Sequence, residues 1–418
     1  MIGLRNFGGI ILKKKEISTA MLFIILFGIV SLFSDMTHEG ASSIRGAYLT
    51  LLGASSGAIG FISGLGELVG YSMRYVFGKI TDKTKKYWPM VIFGYILDIL
   101  AVPALALVGE KGWIAAAFLL VVQRMGKAIK KPAKDTIMSF AASQEGVGKS
   151  FGIQEMLDQI GAFLGPVFLY LVMLFKTEGR TFEIYRTCFA FLAIPGFITI
   201  LLLFYTKMKF PNPEHFEPES KVEEGFKMKK SFLLYIAGIS FFAFGFIDYS
   251  IIIMHITRNY TNIAGNFQET TNLINSGTIP LLYAAAMLVD AIAALIFGHI
   301  YDKNGLKALV ISTIISAPFS LFIFGFKSLH ALLFGLVLWG IGMGAQESIL
   351  KAAVTSMVPK ENRATGYGIF ECSFGFFWFL GSWLLGILYS YSLPLMITIS
   401  IVAQILAIPL YLKVSKLK

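Results

Sequence analysis

The sequence contains about twelve long apolar stretches, each about the length that an α-helix needs to cross a lipid bilayer. Six lie in the first half, at 18–46, 53–78, 88–108, 113–138, 148–175 and 184–206. Six lie in the second half, at 231–257, 276–301, 307–326, 329–357, 364–390 and 392–412. Backbone polar groups must be paired internally in lipid, so such stretches form helices. The pattern predicts an all-α membrane protein with twelve transmembrane helices.

Composition supports this class and excludes several others. Hydrophobic residues make up 56% of the 418 positions, charged residues make up 15%, and mean hydropathy is +0.71. The net charge of +11 comes from residues in loops, so we expect no nucleic-acid partner. Cys188 and Cys372 both lie in apolar stretches, which argues against a disulfide or zinc framework. No Walker loop, His-Glu-x-x-His or Cys-x-x-Cys motif occurs, so we expect no enzyme activity, metal or cofactor.

A short motif occurs twice, between the second and third stretches and between the eighth and ninth. It is a glycine, then an aspartate four residues later, then lysine: Gly78, Asp82 and Lys83, and Gly298, Asp302 and Lys303. A motif repeated at half the chain length predicts two copies of one unit, residues 1–207 and 231–418, joined by a cytoplasmic linker at 208–230. Tandem units of this kind pack as two bundles, with ligand sites between them near the membrane midplane.

Lysine and arginine in the loops predict the orientation. With a cytoplasmic N-terminus, about twenty-two of them fall on the cytoplasmic side and about seven outside, as the positive-inside rule requires. Lys13, Lys14 and Lys15 lead into a stretch with no small-residue cleavage site, so no signal peptide is expected. We therefore expect a multi-pass protein of the plasma or inner membrane with both termini in the cytoplasm.

The whole chain resembles the major facilitator superfamily, in its six plus six helices, its central loop and its repeated glycine-aspartate motif. The resemblance implies two pseudo-symmetric six-helix bundles and a cytoplasmic gate that the motif aspartates latch. By position, Asp82 is expected near Gly366 and Asp302 near Ser150. The chain departs from the family pattern in lacking a glycine after Lys83 and in carrying lysines where arginines are common.

The fifth stretch carries Gly161, Gly165 and Pro166. This segment is similar to a shortened form of the family motif associated with proton-coupled antiporters. Small residues four apart followed by proline also suit close helix packing and a kink. Both interpretations stay open.

Ionisable residues within apolar stretches mark candidate functional sites, because each costs roughly 2.5 to 3.5 kcal/mol at the bilayer centre. Asp35, His38 and Glu39 are spaced so that all three share one face of the first helix. Such a face can bind and release a proton near neutral pH. The resemblance adds Arg124, which matches a family arginine in the fourth helix implicated in proton coupling. The alternative is that the first-helix group is a solvated cluster at the outer end.

Other charged residues are candidates for the substrate cavity. In the first half these are Glu67, Lys127, Glu155 and Asp158. The fourth helix is unusually basic, and its cations either form an internal ion-pair network with the acids of the fifth helix or attract an anionic substrate. The second half is sparser and offers Asp248, at the repeat position of Asp35, and Glu347, which can instead pair with Lys351 four residues on.

These features predict a secondary active transporter that works by alternating access and moves a small molecule across the bilayer, with protons as the coupling ion. Export of a drug or metabolite by proton antiport is favoured. The alternatives are a proton symporter or uniporter for an organic anion and, in another class, a transporter-like sensor or lipid-handling protein. The protein is expected to act as a monomer.

Overall fold

The computed structural model describes residues 18–145, 147–175, 180–216, 229–260, 276–358 and 363–417. Within these ranges the regular elements are all helical. The first half contains α1 (Thr19–Leu51), α2 (Ser56–Thr84), α3 (Tyr87–Ala104), α4 (Trp113–Glu145), α5 (Val147–Phe175), α6 (Thr181–Phe191) and α7 (Ala193–Lys209). The second half contains α8 (Lys230–Gly245), α9 (Tyr249–Asn259), α10 (Ile279–Asn304), α11 (Lys307–Ser316), α12 (Phe319–Phe324), α13 (Leu329–Met357), α14 (Arg363–Tyr391) and α15 (Leu393–Lys416).

Ten helical segments among the described residues are long and apolar enough to cross a membrane. Three of these segments join two helices each, α6 with α7, α8 with α9 and α11 with α12. Helices α2 and α4 lie at the other two predicted positions and have 29 and 33 residues. They are long enough to cross, but they carry more charged residues than the other ten. The all-α membrane class is confirmed, and the count of twelve transmembrane helices stays a prediction.

The repeated glycine-aspartate motif is helical, which corrects its expected place in a loop. Gly78, Asp82 and Lys83 belong to the last turns of α2, and Gly298, Asp302 and Lys303 to the last turns of α10. Each helix ends only at a residue with positive φ, Lys85 at 52° and Gly305 at 59°. These two residues hold equivalent positions in the repeat. The lysine adopts a conformation that glycine adopts more readily, because its Cβ is crowded there.

Several helix pairs pack within one half. Helix α1 packs on α5, and α3 on α4; in the second half α10 packs on α13, and α8 on α15. A Cβ at Gly161 would lie 2.2 Å from the Leu32 carbonyl oxygen, and one at Gly165 would lie 2.3 Å from that of Met36. These glycines therefore bring α5 directly onto the backbone of α1. The contact agrees with the packing interpretation of the fifth-helix motif.

Several helix pairs join the halves, including α2 with α14, α5 with α10, α1 with α9 and α1 with α10. A Cβ at Gly60 of α2 would lie only 2.1 Å from the Ser382 carbonyl oxygen of α14, so a side chain there would push the two helices apart. The predicted linker includes a short 3-10 turn, Pro213–Phe216, while residues 217–228 lie outside the described ranges. The division into 1–207 and 231–418 stays a prediction.

Candidate functional site

A fully buried carboxylate links three helices of the first half. Asp98 of α3 has no exposed surface, and its Oδ2 lies 2.6 Å from His38 Nε2 of α1. The Lys130 ammonium of α4 donates to the same oxygen and, at 3.0 Å, to Ser34 Oγ. Gln123 pairs with the other ring nitrogen of His38. The charged groups of this cluster thus have partners on α1, α3 and α4, as charges buried away from water require.

Asp98 is not among the residues singled out in the sequence. The signal was present, since Asp98 is a single carboxylate within an apolar stretch, and such residues are costly unless they are paired. No other charged residue lies three or four positions from Asp98 in the sequence, so the sequence shows no cluster of charges there. Its partners come from α1 and α4, and only the fold brings them together.

The basic residues of α4 are mostly neutralised within the first half. Arg124 forms an ion pair with Glu67 of α2. Lys134 Nζ lies 3.9 Å from Asp158 Oδ2 of α5. The remaining close pairs are Lys130 with Asp98 and Lys131 with Asp135. This arrangement supports an internal ion-pair network over a row of cations that all face a substrate.

Lys127 is the exception on α4. No acidic side chain lies within ion-pair distance of it among the described residues, although its charge acts on Asp35, His38 and Glu39. Its side chain is partly buried. Lys127 is therefore the α4 cation best placed to meet an anionic group of a ligand.

Two polar contacts of α1 cross to the second half. Tyr283 of α10 donates a hydrogen bond of 2.5 Å to Glu39 Oε2. Arg45 donates to Ser250 Oγ of α9 at 2.8 and 3.0 Å, and its Nη2 lies 3.7 Å from Asp248 Oδ1. Helix α1 thus places an acidic residue, Glu39, and a basic residue, Arg45, on the boundary between the halves.

Asp248 occupies a break in a membrane segment. Helix α8 ends at Gly245 and α9 begins at Tyr249, where the Asp248 carboxylate caps the new helix by accepting from Ser250 N at 2.8 Å. The Ile247 carbonyl, which the break leaves without a helical partner, accepts from Trp339 Nε1 at 3.0 Å. Broken helices are tolerated in membranes where protein groups satisfy the freed backbone, and they often line ligand sites.

The three first-helix candidates do not form one site. His38 faces the core of the first half, Glu39 faces α10, and Asp35 lies near Asp158 of α5 and the lysines of α4. Residues three and four positions apart share a helix face, but α1 is surrounded on several sides. Each side chain therefore meets a different neighbour. The expectation of a single cluster is wrong in this respect.

The other predicted residues have more peripheral positions. Glu155 is exposed and accepts from Gln159 Nε2 at 3.3 Å, and Glu347 is exposed. The lysines of the motif and Asp302 are also exposed.

The side chains of Asp82 and Lys351 lie outside the described residues, so the gate contacts and the Glu347 pair stay predictions. Within the described ranges no group of His, Cys, Asp and Glu is arranged to hold a metal.

A groove of about 650 Å³ opens between α2, α4 and α14. Apolar residues line it, among them Phe61, Trp113, Phe118 and Trp383. Its volume is within the range of ligand sites. Ile62 lines both this groove and a small polar crevice that Arg45 and Arg124 also line. An apolar space thus adjoins the charged centre of the molecule.

A family model described as Major Facilitator Superfamily matches residues 17–268 and 233–417. The chain belongs to the major facilitator superfamily. It is 32% identical over 396 residues to an uncharacterised protein of Mycobacterium tuberculosis, Rv2265, covering 93% of this chain and 92% of that one. It is 28% identical over 350 residues to an uncharacterised MFS-type transporter of Methanocaldococcus jannaschii, MJ1317, covering 83% of each.

Solved structures of the superfamily share the fold. A bacterial homologue of the human lysosomal transporter Spinster, in an inward-facing and unoccupied conformation, gives a TM-score of 0.69 at 13% identity, covering 95% of this chain and 97% of that one. The nucleoside transporter NupG gives 0.68 at 13% identity, covering 94% and 98%. The peptide transporter POT in complex with sulfate gives 0.70 at 15% identity, covering 94% and 93%. This superfamily member is a membrane transporter of solutes.

Proposed function

We propose that this superfamily member is a proton-coupled secondary transporter that exports a small amphipathic solute by alternating access, as a proton antiporter. In this mechanism residues 1–207 rock against residues 231–418 and expose a central site to each side in turn. The chain lies in the cell membrane with both termini in the cytoplasm, as the loop lysines and arginines favour.

The observation that carries the proposal is the hydrogen bond from Tyr283 to Glu39 across the boundary between the halves. A carboxylate accepts this bond when ionised, and protonation changes the contact that joins α1 to α10. Arg45, one and a half turns along α1, contacts Ser250 and Asp248 on the same boundary. Proton binding on α1 is thereby connected to the relative position of the two halves.

The solute class rests on the groove beside the charged centre. An apolar space of about 650 Å³ next to Arg45 and Arg124 suits a molecule with one apolar and one polar part. The structural neighbours include nucleoside and peptide transporters, so their fold does not favour one substrate.

Lys127 favours a second function, proton symport or uniport of an organic anion. It is a partly buried cation on α4 without an acidic partner in ion-pair range among the described residues. An anionic group of a substrate is the counter-charge that such a lysine binds best. The direction of proton movement separates this function from antiport.

Proton movement in proteoliposomes tests the proposal. Vesicles with a pH-sensitive dye inside receive pools of organic anions, sugars or amphipathic cations outside. Inward movement of an antiported substrate drives protons out and makes the lumen more alkaline, whereas symport acidifies it. We expect at least one pool to drive proton flux in the wild type, and Glu39→Gln and Asp35→Asn to abolish it.

The matched control is Glu183→Gln, which neutralises a half-exposed carboxylate paired with Arg186 at the start of α6. It is expected to keep the wild-type flux. Solute counterflow without proton movement in the wild type would overturn proton coupling and leave a uniporter. Proton flux that persists unchanged in Glu39→Gln would remove the boundary hydrogen bond from the mechanism.

A further inference from the structure

Asp290 is the buried carboxylate of the second half that the proposed function does not use. It lies in the middle of α10 and is 2% exposed. Its Oδ1 is buried and has no hydrogen-bond partner. Leaving a charged oxygen in this state costs more than leaving a neutral one, because the charge has lost its hydration.

The surroundings of Asp290 are acidic. The described charged side chains that act on it are Glu347 of α13, Glu155 of α5 and Glu39 of α1. All three are carboxylates, and they come from three helices in both halves of the molecule. The side chain of Lys351, one turn beyond Glu347, lies outside the described residues. Like charges gathered around a buried carboxylate oppose its ionisation.

The position of Asp290 connects it to the boundary. Tyr283, which donates to Glu39, lies seven residues earlier on α10 and so on the same face. On the other side, a Cβ at Gly344 of α13 would lie 2.7 Å from Asp290 Oδ1 and 2.0 Å from the Asp290 carbonyl oxygen. Because Gly344 has no side chain, α13 packs directly against α10 at Asp290. The Asp290 side chain therefore has little room to adopt another rotamer.

We propose that Asp290 is a proton-binding site of the second half, and that its proton permits α10 to pack against α5. A proton from water adds to a carboxylate oxygen and makes it a neutral carboxylic acid. With Asp290 neutral, α10 can approach Glu155 and Glu39 without repulsion. When the proton leaves, the carboxylate repels those of α5 and α1, and the halves separate along this pair of helices. The inference rests on the proton coupling proposed above and adds a second site to it.

The separation of the halves is measured directly by pulsed electron paramagnetic resonance between two spin labels. The labels replace Ser143 near the end of α4 and Asn304 at the end of α10, which are both exposed. Cys188 and Cys372 are replaced by alanine, so that only the two introduced cysteines react. Distance distributions are recorded between pH 5 and pH 9 in lipid nanodiscs, with no substrate present.

We expect the wild-type distribution to shift toward longer distances as the pH rises. Asp290→Asn keeps the size of the side chain and mimics its protonated form, so it is expected to lose the shift and keep the low-pH distribution. Asp290→Glu keeps a titratable carboxyl and is expected to restore a shift. Glu155→Gln removes one opposing charge and is expected to reduce its amplitude. Glu183→Gln, far from these groups, is expected to behave as the wild type.

A wild-type distribution that does not change with pH would overturn the proposal, as would a full shift in Asp290→Asn. Asp290→Asn protein that elutes as a folded monomeric peak and lacks the shift supports it. The readout is a distance and requires no substrate. Absence of substrate-driven proton flux with an intact pH shift would therefore contradict the proposed antiport and leave the Asp290 site in place.

Discussion

The two halves carry the same glycine-aspartate motif, yet they hold their helices together by different means. The first half buries titratable or charged side chains that have polar partners: His38, Arg45, Asp98, Lys130 and Lys134. Their partners lie in the first half, except that Arg45 contacts Ser250 and Asp248 of the second half. The second half packs around Phe246, whose ring lies 5.1 Å from Phe319, 5.8 Å from Trp339 and 5.7 Å from Trp378, measured between centroids. Aromatic contacts contribute about 0.5 to 1.5 kcal/mol per pair beyond their buried area.

This difference indicates that the two halves respond differently to pH. Ion pairs respond to protonation and can exchange partners, whereas aromatic packing is indifferent to pH. The first half therefore offers more ion pairs that protonation can alter, whereas the aromatic core of the second half does not depend on pH. Asp248 and Asp290, the buried carboxylates of the second half among the described residues, both lie close to charged residues of the first. These two carboxylates thus lie at the boundary, whereas the buried His255 pairs with Tyr389 inside the second half.

The largest expected effect is on the first half. Asp98→Ala leaves the Lys130 ammonium buried without its counter-ion, so we expect a loss of about 3 to 5 kcal/mol in the free energy of unfolding. Unfolding in detergent, followed by circular dichroism, measures it. The double variant Asp98→Leu with Lys130→Met replaces the pair by apolar groups and is expected to recover most of the loss. A single variant as stable as the wild type would contradict the role of this pair.

A smaller effect is expected in the second half. Trp339→Phe keeps an aromatic ring but removes the hydrogen bond to the Ile247 carbonyl at the helix break. A buried acceptor left without its donor costs about 1 to 3 kcal/mol. The same unfolding measurement applies, and the pH dependence of the spin-label distances is expected to stay as in the wild type. A changed pH dependence would show that the two halves are not functionally distinct in this way.

The smallest effect is expected at the surface. Glu110 and Arg180 form an ion pair at 2.8 Å, with side chains 56% and 72% exposed. Glu110→Gln is expected to cost only about 0.2 to 1 kcal/mol, because water and salt screen exposed charges. Unfolding at low and high salt measures it. A loss as large as that of Asp98→Ala would mean that burial does not set the contribution of these ion pairs.

Much of the fold could be predicted from the apolar pattern alone. Helix α1 begins at Thr19 and α13 begins at Leu329, each within a residue of the predicted position. The polar helix α4 was also predicted, at 113–138, and the structure extends it to Glu145. The ends of α2 and α10 were placed too early. Lys85 does not look like a helix-ending residue in sequence, although it has a positive φ like Gly305 in the second copy.

The candidate site was predicted less completely. Helical spacing correctly put ionisable groups on α1 and proposed Asp158 of α5 as a counter-charge for the basic α4, and Asp158 lies near Lys134. Spacing along one helix cannot say which neighbour each side chain meets. His38, Glu39 and Asp35 were therefore grouped although they face different helices, and Asp98 was overlooked because its partners are distant in the chain.

The class, the helices, the repeated motif and the costly charges within apolar stretches can all be read from the amino-acid sequence. These properties depend on local composition and on the solvent, since lipid requires every spanning segment to pair its own backbone. Which charges neutralise each other, and which lie on the boundary, follows from the packing of the helices. Asp98 meets Lys130, 32 residues away, and Glu39 meets Tyr283, 244 residues away. Such pairings depend on how helices pack, which no single stretch of sequence contains.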